Sequence, residues 1–161
     1  MDFEIFKDVG LNLVKEYGYL GIFLIGLSEP IFQPIPTEIF IISGVLLGLD
    51  WKLVLIVSTL GCNLGAIITY CLATKYGEKL ALRLFDEEKL KKGEKFLKKW
   101  GVMGVIVVSF TPIPFEIICW VCGMFNMPFE KYMVAVFLSR MIKHGLAVLP
   151  FVLPIKNYLP F

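Results

Sequence analysis

Histidine is almost absent from the sequence, which carries only His144 among its 161 residues. A single histidine excludes the His-Glu-x-x-His zinc motif of metalloproteases. The sequence also lacks the Gly-x-Ser-x-Gly turn of serine hydrolases and the loop that cradles phosphates. Its lysines are not accompanied by a nucleic-acid-binding motif. We therefore predict that the chain is not an enzyme and has no nucleic-acid partner, and an ATP-driven pump would need another subunit.

Cysteine is also scarce, and the four residues present all fall in apolar segments. Two of them form a Cys-x-x-Cys pair, but redox or metal chemistry requires a wet, electropositive setting that the flanking residues do not provide. We expect these thiols to fill contacts between helices. The sequence predicts no metal site and no cofactor. The four residues are Cys62, Cys71, Cys119 and Cys122.

Charged residues are few outside one segment. Hydrophobic residues make up 57% of the chain, and the mean hydropathy is +0.75. A soluble domain of this length cannot bury that much apolar surface, whereas a bilayer solvates it. The range Lys75–Lys99 holds 9 of the 16 Lys/Arg residues and 5 of the 14 Asp/Glu residues. The hydrophobic composition predicts a multi-pass protein of the cell membrane. The excess of Lys and Arg over Asp and Glu at 75–100 predicts that this segment lies in the cytoplasm, beside the lipids of the cytoplasmic leaflet.

Prolines divide the first apolar stretch into two short limbs. Each limb of residues 19–49 has about 12 residues and reaches about 18 Å, against about 30 Å of hydrocarbon. We therefore predict a re-entrant hairpin at 19–49, which returns to the face where it entered. Residues 51–74 are long enough to form a transmembrane helix. The flanking segments are amphipathic, so we expect an interfacial helix at 1–17 and a basic surface segment at 75–100, formed by one or two helices.

The second half of the sequence repeats the first. The run Pro112 to Glu116 matches Pro34 to Glu38, and it predicts a second hairpin at 101–126 followed by a second transmembrane helix at 132–154. Because one span separates the hairpins, they enter from opposite faces and meet near the midplane. The predicted fold is a single all-α membrane domain, 1–161, built as an inverted repeat; four short kinked spans are the alternative. The hairpin-forming prolines are Pro30, Pro34, Pro36, Pro112 and Pro114.

Seven polar residues lie inside stretches that are otherwise apolar. A charge at the centre of a bilayer costs about 2.5 kcal/mol or more, so such residues face protein or water. Lys143 and His144 follow Arg140 by three and four residues and share its helical face. We predict a hydrated transport site where this basic stripe meets the acidic loops; ion pairs that only hold the hairpins are the alternative. The candidate residues are Glu29, Glu38, Asn63, Glu116, Arg140, Lys143 and His144.

The segment Glu29 to Glu38 resembles the Glu-x-x-x-x-Pro-x-Pro-x-Glu signature of the DedA family, also called the VTT or SNARE-associated family. The run Gly61-x-Asn63-x-Gly65 is similar to its glycine-rich span, and the region from Pro112 to Arg140 looks like its second half. The resemblance implies a membrane transporter or scramblase for lipids. It carries the family's hairpin acids onto Glu29 and Glu38, and its later arginine onto Arg140.

The same resemblance implies a range of substrates. Bacterial relatives are linked to the recycling of undecaprenyl phosphate, eukaryotic ones to phospholipid scrambling, and some depend on the proton gradient. This sequence departs from the family pattern at two places. Ala66 stands where many members have Asp, and Ser109 and Glu116 stand where many have Arg. Arg140 or Lys143 is left to supply the missing cation.

The leading hypothesis is a transporter that moves an anionic lipid, a polyprenyl phosphate or a phospholipid, between leaflets. Glu29 and Glu38 would gate the path or carry protons, and Arg140 with Lys143 would offset the charge of the head group. One alternative is a proton- or cation-coupled carrier of a small solute. Another is a scaffold that recruits partners through residues 75–100. A subunit of 161 residues is small for enclosing a path, so a homo-oligomer is one way to complete it.

Overall fold

The computed structural model describes residues 3–33, 35–108, 110–111 and 113–152, and these residues form α-helices and no strand. The all-helical prediction is confirmed. Pro34, Ser109, Pro112 and the end of the predicted second span, 153–154, lie outside the described residues. The helices are α1 (Phe3–Tyr17), α2 (Tyr19–Ser28), α3 (Thr37–Leu46), α4 (Trp51–Leu84), α5 (Glu87–Val108), α6 (Phe115–Met124) and α7 (Phe129–Val152).

Two of the described helices contain segments long and apolar enough to cross a membrane. These segments are Trp51–Gly77 in α4 and Phe129–Phe151 in α7. Asp50 caps α4, because its side chain accepts hydrogen bonds from the backbone N–H groups of the next two helical residues at 2.9 and 3.2 Å. In contrast, α2, α3 and α6 have 10 residues each and reach only about 15 Å. These lengths are consistent with a membrane protein.

The basic segment at 75–100, predicted as one or two surface helices, comprises the end of α4 and the first part of α5. Helix α4 continues past the predicted end of the span to Leu84, and α5 runs from Glu87 into the second apolar half. Both helices change direction at a glycine, Gly77 with φ 54° and Gly101 with φ 53°. Glycine adopts this backbone conformation without strain, so it redirects the chain where a proline would stop it.

The first part of α5 is amphipathic. Leu90, Gly93 and Leu97 are buried at helical spacing, and a Cβ at Gly93 would lie 2.8 Å from the Ile117 side chain in α6. Its other face is exposed and carries ion pairs four residues apart, including Lys91–Glu87 at 2.6 Å. The hydrogen bond and the charge of the lysine lower the pKa of Glu87. Solvent screens such pairs, so packing on α6 holds this segment in place.

Helices α4 and α7 are antiparallel and pass through both apolar clusters of the protein. The Tyr132 hydroxyl of α7 donates to the Ala66 carbonyl of α4 at 3.1 Å, and Ser58 of α4 lies 3.1 Å from His144 of α7. One cluster is built on α4 to α7, and the other on α1 to α3 with the outer ends of α4 and α7. Between them runs a belt of buried polar side chains: Ser58, Thr59, Ser139, Arg140 and His144.

Helix α2 packs closely on α4 through glycines. A Cβ at Gly65 would overlap the carbonyl oxygen of Leu27, and one at Gly61 would overlap that of Phe23. On the facing side, a Cβ at Gly26 would lie 2.8 Å from the Ser58 carbonyl. The small residues of α4 therefore form a packing face for α2.

Candidate functional site

The part of the first loop that directly follows α2, residues 29–33, forms a hydrogen-bonded turn. The Ser28 carbonyl, at the end of α2, accepts from the backbone N–H groups of Ile31 and Phe32, both at 3.1 Å. Two backbone carbonyls of this turn accept hydrogen bonds from side chains on other helices. Thr69 donates to the Pro30 carbonyl at 3.0 Å, and Trp120 donates to the Ile31 carbonyl at 2.9 Å. Irregular backbone deep in a membrane protein requires such partners, because lipid offers none.

Glu29 and Arg140 form a buried ion pair at the centre of the polar belt. Arg140 Nη1 donates to Glu29 Oε1 at 2.9 Å, and Arg140 is 0% exposed. The Thr37 hydroxyl donates to Glu29 Oε2 at 2.6 Å. The Arg140 guanidinium also stacks on the ring of Phe115, 3.5 Å from the ring centroid. The pair joins α7 to the end of α2, the start of α3 and the start of α6.

Glu38 lies where the basic stripe of α7 converges. Its carboxyl oxygens are 3.4 Å from Lys143 Nζ, 3.9 Å from Arg140 Nη1 and 3.8 Å from His144 Nε2. Neither oxygen makes a hydrogen bond within the described chain. The structure thus brings Glu29, Glu38 and all three residues of the stripe into one cluster.

His144 is held from the side opposite Glu38. Its Nδ1 lies 3.1 Å from the hydroxyl of Ser58 and 3.3 Å from that of Thr59, both on α4. Its Nε2 faces Glu38 and, at 3.9 Å, the thiol of Cys62. The ring is therefore fixed in orientation, with Nε2 turned toward the carboxylates.

A cavity of about 260 Å³ lies between the two Pro-x-Pro loops. Glu29 and Gln33 line it from the first loop, and Glu116 lines it from the second. Lys143 reaches it from α7 and keeps a quarter of its side-chain surface exposed. Phe115 also lines the cavity and so stands between it and Arg140, whose Nε and Nη2 make no hydrogen bond within the described chain.

The sequence matches the VTT domain family over residues 35–153. The chain belongs to the VTT domain family, which is also the DedA family. An uncharacterised protein of Methanocaldococcus jannaschii is 68% identical over 161 residues, covering 100% of this chain and 99% of that protein. The uncharacterised membrane protein YbfM of Bacillus subtilis is 29% identical over 133 residues, covering 75% of this chain and 80% of YbfM.

A more distant relative carries a functional name. The undecaprenyl phosphate transporter A of Staphylococcus aureus is 24% identical over 115 residues, covering 63% of this chain and 57% of that protein. No solved structure matches this VTT domain. The family match begins at residue 35, so Glu29 lies before it and its place in the site rests on the geometry described above.

Two predicted site residues of this VTT domain lie apart from the charged cluster or at its edge. Asn63 hydrogen-bonds the Thr59 carbonyl of its own helix at 2.8 Å and contacts none of the charged residues described above. Glu116 lines the cavity without joining the Glu29–Arg140 pair. Of the hairpin prolines, Pro30 is buried, whereas Pro36 and Pro114 are exposed and directly precede α3 and α6.

Several residues of the site gave no usable signal in the sequence. Phe115 is one of many aromatic residues in apolar runs, and only the structure shows its ring against Arg140. Thr37, Ser58 and Thr59 are hydroxyl residues within helices, where such residues commonly bond to their own backbone. Ser58 and Thr59 could have been found only by using helical spacing to place them on the α4 face that meets His144.

The two halves of the VTT domain repeat in backbone detail. Pro36 and Pro114 precede their helices with φ −60° and ψ 132° and 136°. Helices α3 and α6 end in the same turn, since Leu49 N–H bonds the Gly44 carbonyl at 3.1 Å and Met127 N–H bonds the Cys122 carbonyl at 3.0 Å. Every one of these positions is matched 78 residues later, the offset predicted from the Pro-x-Pro runs.

Proposed function

We propose that this VTT domain is a membrane transporter that moves an anionic lipid, a polyprenyl phosphate or a phospholipid, between leaflets. The observation that carries the proposal is the cavity between the two loops, where two carboxyl groups and the Lys143 ammonium meet beside the buried Arg140. A cavity with cations of this kind suits an anionic head group, whose tail can stay in the bilayer. The name of the distant Staphylococcus aureus relative supports the same substrate class.

The proposed transport path uses an inverted repeat of re-entrant hairpins. Helices α4 and α7 are antiparallel, as two spans related by an axis in the membrane plane must be. The cross-contacts match as well, because α3 of the first half packs on α7 and α6 of the second half packs on α4. We propose that α2–α3 and α5–α6 enter from opposite faces and that residues 78–100 lie in the cytoplasm.

The loops present helix N-termini to the cavity. Glu38 and Glu116 are each the second residue of a helix that starts at the cavity, in α3 and α6. The partial positive charge of a helix N-terminus stabilises a carboxylate, and it equally favours a phosphate that replaces or approaches it. In this proposal Glu38 and Glu116 exchange protons or hydrogen-bond partners as the head group passes. The head group meets the Lys143 ammonium before it meets Arg140.

The arginine is reached only after Phe115 moves. The guanidinium carbon lies 3.5 Å from the centroid of the ring, which also lines the cavity, so in this proposal Phe115 closes the wall between the cavity and Arg140. The two N–H groups of Arg140 that lack a partner in the described chain are the donors that a phosphate would use. Phe115 therefore serves as the gate of the proposed site.

The test is an assay of lipid movement between leaflets in vesicles that contain the purified chain and a defined anionic lipid. Glu38→Gln and Lys143→Gln are expected to lower the rate about tenfold or more, since a charge-assisted contact contributes on the order of 1.5 kcal/mol. Lys131→Gln, an exposed lysine on the same helix as Lys143, serves as the matched control and should retain the rate. Equal rates with the chain and with empty vesicles would refute the proposal.

The same vesicles separate the rival functions. Uptake of a small solute that follows an imposed pH gradient, without lipid movement, would favour a coupled solute carrier. A chain whose cellular phenotype survives Glu38→Gln but is lost when residues 87–100 are replaced would favour a scaffold. Running the lipid assay with and without a pH gradient shows whether protons drive the proposed transport.

A further inference from the structure

A set of metal-ligating atoms converges in the polar belt, beside the cluster of carboxylates and cations. Cys62 of α4, Glu29 after α2 and His144 of α7 each turn one ligand atom inward, and these atoms all lie within 4.8 Å of one another. The residues are 33 and 82 positions apart in the chain. Their convergence could not be read from local spacing.

The separations between the atoms suit a tetrahedral ion. Cys62 Sγ is 3.4 Å from Glu29 Oε2 and 3.9 Å from His144 Nε2, and Glu38 Oε1 is 3.8 Å from the same nitrogen. Zinc bonds of about 2.0–2.3 Å place neighbouring ligand atoms roughly 3.2–3.7 Å apart in a tetrahedron. The Cys62–Glu29 separation already lies in this range. Glu38 lies outside the set of atoms that are all within 4.8 Å of one another, so its carboxyl group would have to move farther than the other ligands to complete the tetrahedron.

The outer contacts of the ligand atoms still leave lone pairs that can bind an ion. Glu29 gives Oε1 to Arg140 at 2.9 Å, and its Oε2, which accepts from Thr37 at 2.6 Å, faces Cys62. Glu38 gives Oε2 to Lys143 at 3.4 Å, and its Oε1 lies 3.9 Å from Arg140 Nη1 and 3.8 Å from His144 Nε2. Ser58 and Thr59 hold His144 by Nδ1, which leaves Nε2 to bind. Metal-bound histidines and carboxylates are oriented in this way by their second partners.

We propose that Glu29, Cys62 and His144, with Glu38 as the fourth ligand, form a zinc site. Thiolate, imidazole and carboxylate together are the ligand set that Zn²⁺ prefers. Binding replaces the thiol proton of Cys62 by a zinc–sulfur bond and releases one proton, so the site gains one positive charge. Glu29 also lines the cavity, which gives the ion a way in. A bound ion would tie the first loop to α4 and α7, and it would share Glu29 and Glu38 with the transport site proposed above.

The proposal is tested with Co²⁺, which reports a thiolate ligand by its charge-transfer absorption. The full-length chain, purified in detergent and freed of metal, should bind one Co²⁺ with that absorption and lose it when one equivalent of Zn²⁺ is added. Cys62→Ser should weaken Co²⁺ binding by about a hundredfold or more, beyond what the loss of an outer contact causes. Cys71→Ser, an exposed cysteine of the same helix, should bind as the unaltered chain does.

Three outcomes would overturn the zinc site, and the first can be observed with the unaltered chain alone. These are the absence of a thiolate band in the unaltered chain, a band that Cys62→Ser retains, and a band that Cys71→Ser removes. Each would show that the Cys62 thiol only donates a hydrogen bond to Glu29. A chain that binds Co²⁺ but moves no lipid would refute the transport proposal and leave the zinc site standing.

Discussion

Arg140 can donate five hydrogen bonds, yet within the described chain it makes a hydrogen bond to Glu29 alone. A buried donor without a partner costs about 1–3 kcal/mol, so a native protein keeps it only where something is gained. Here the flat face of Phe115 partly compensates, since a cation over an aromatic ring contributes on the order of 2 kcal/mol when both are shielded from water. Arg140 therefore keeps donors without partners behind the Phe115 ring, and a ligand could bind them once the ring moves.

Removing that side chain should expose the arginine. The sequence has only two arginines, Arg83, which is exposed, and Arg140, which is buried. In the folded protein, an arginine-specific dicarbonyl reagent should label Arg83 alone, whereas Phe115→Ala should make Arg140 react as well, as mass spectrometry can show. Phe110→Ala, an exposed ring of the same loop, and Val108→Ala, a buried side chain that lines the same cavity, should leave Arg140 unlabelled. Labelling of Arg140 at the rate of Arg83 in the unaltered protein would contradict the gate.

The charged residues of the site could be predicted from the sequence, whereas the uncharged residues that contact them could not. Depth along a helix was enough to predict that Arg140, Lys143 and His144 face the acids of the first loop, because a charge in a bilayer must find a partner. The partners that carry no charge were missed. Thr37, Ser58 and Phe115 each touch the site, but hydroxyl and aromatic residues are common in helices for reasons that have nothing to do with a site.

At the scale of the elements, the close approach of α2 and α4 depends on glycines that no larger residue can replace. Gly65→Ala should lower the free energy of unfolding by about 1–3 kcal/mol, because the added methyl group overlaps the Leu27 carbonyl and a helix backbone cannot yield. Thermal unfolding in detergent measures the effect. Gly145→Ala in α7 is the matched control, since the new methyl group meets no described atom within 4 Å and alanine favours the helix by up to about 1 kcal/mol. A Gly65→Ala protein as stable as the Gly145→Ala protein would contradict this packing.

The elements also show where periodicity is a weak guide. Proline breaks were read correctly, since α3 and α6 start directly after Pro36 and Pro114. The pattern alone does not show whether the basic segment is joined to the apolar helices, because a glycine that redirects a helix and a residue that ends one look alike in a hydrophobic pattern. Gly77 and Gly101 differ from a helix end only in that the hydrogen-bonded helix resumes beyond them.

At the scale of the whole molecule, the inverted arrangement that we propose makes the ends of α3 and α6 equivalent and predicts that they lie on opposite faces of the membrane. Leu47 and Phe125 are the matching residues, 78 positions apart, and both are exposed. In a chain with its four cysteines replaced, Leu47→Cys should react with an impermeant maleimide added outside the cell. Phe125→Cys should react only after the membrane is opened. Reaction of both from the same side would exclude the inverted topology.

The ion pair at the centre has a consequence for how the protein is made. The hydrogen bond from Arg140 to Glu29 joins residues that are 111 positions apart in the chain. The hydrogen bond from Trp120 to the Ile31 carbonyl joins residues that are 89 positions apart. In a chain that has been synthesised only as far as α4, Glu29 and Glu38 therefore lack the cations of α7, although Thr37 and Thr69 can already hydrogen-bond Glu29 and the Pro30 carbonyl. We expect the first half to reach its final packing only after α7 has been inserted.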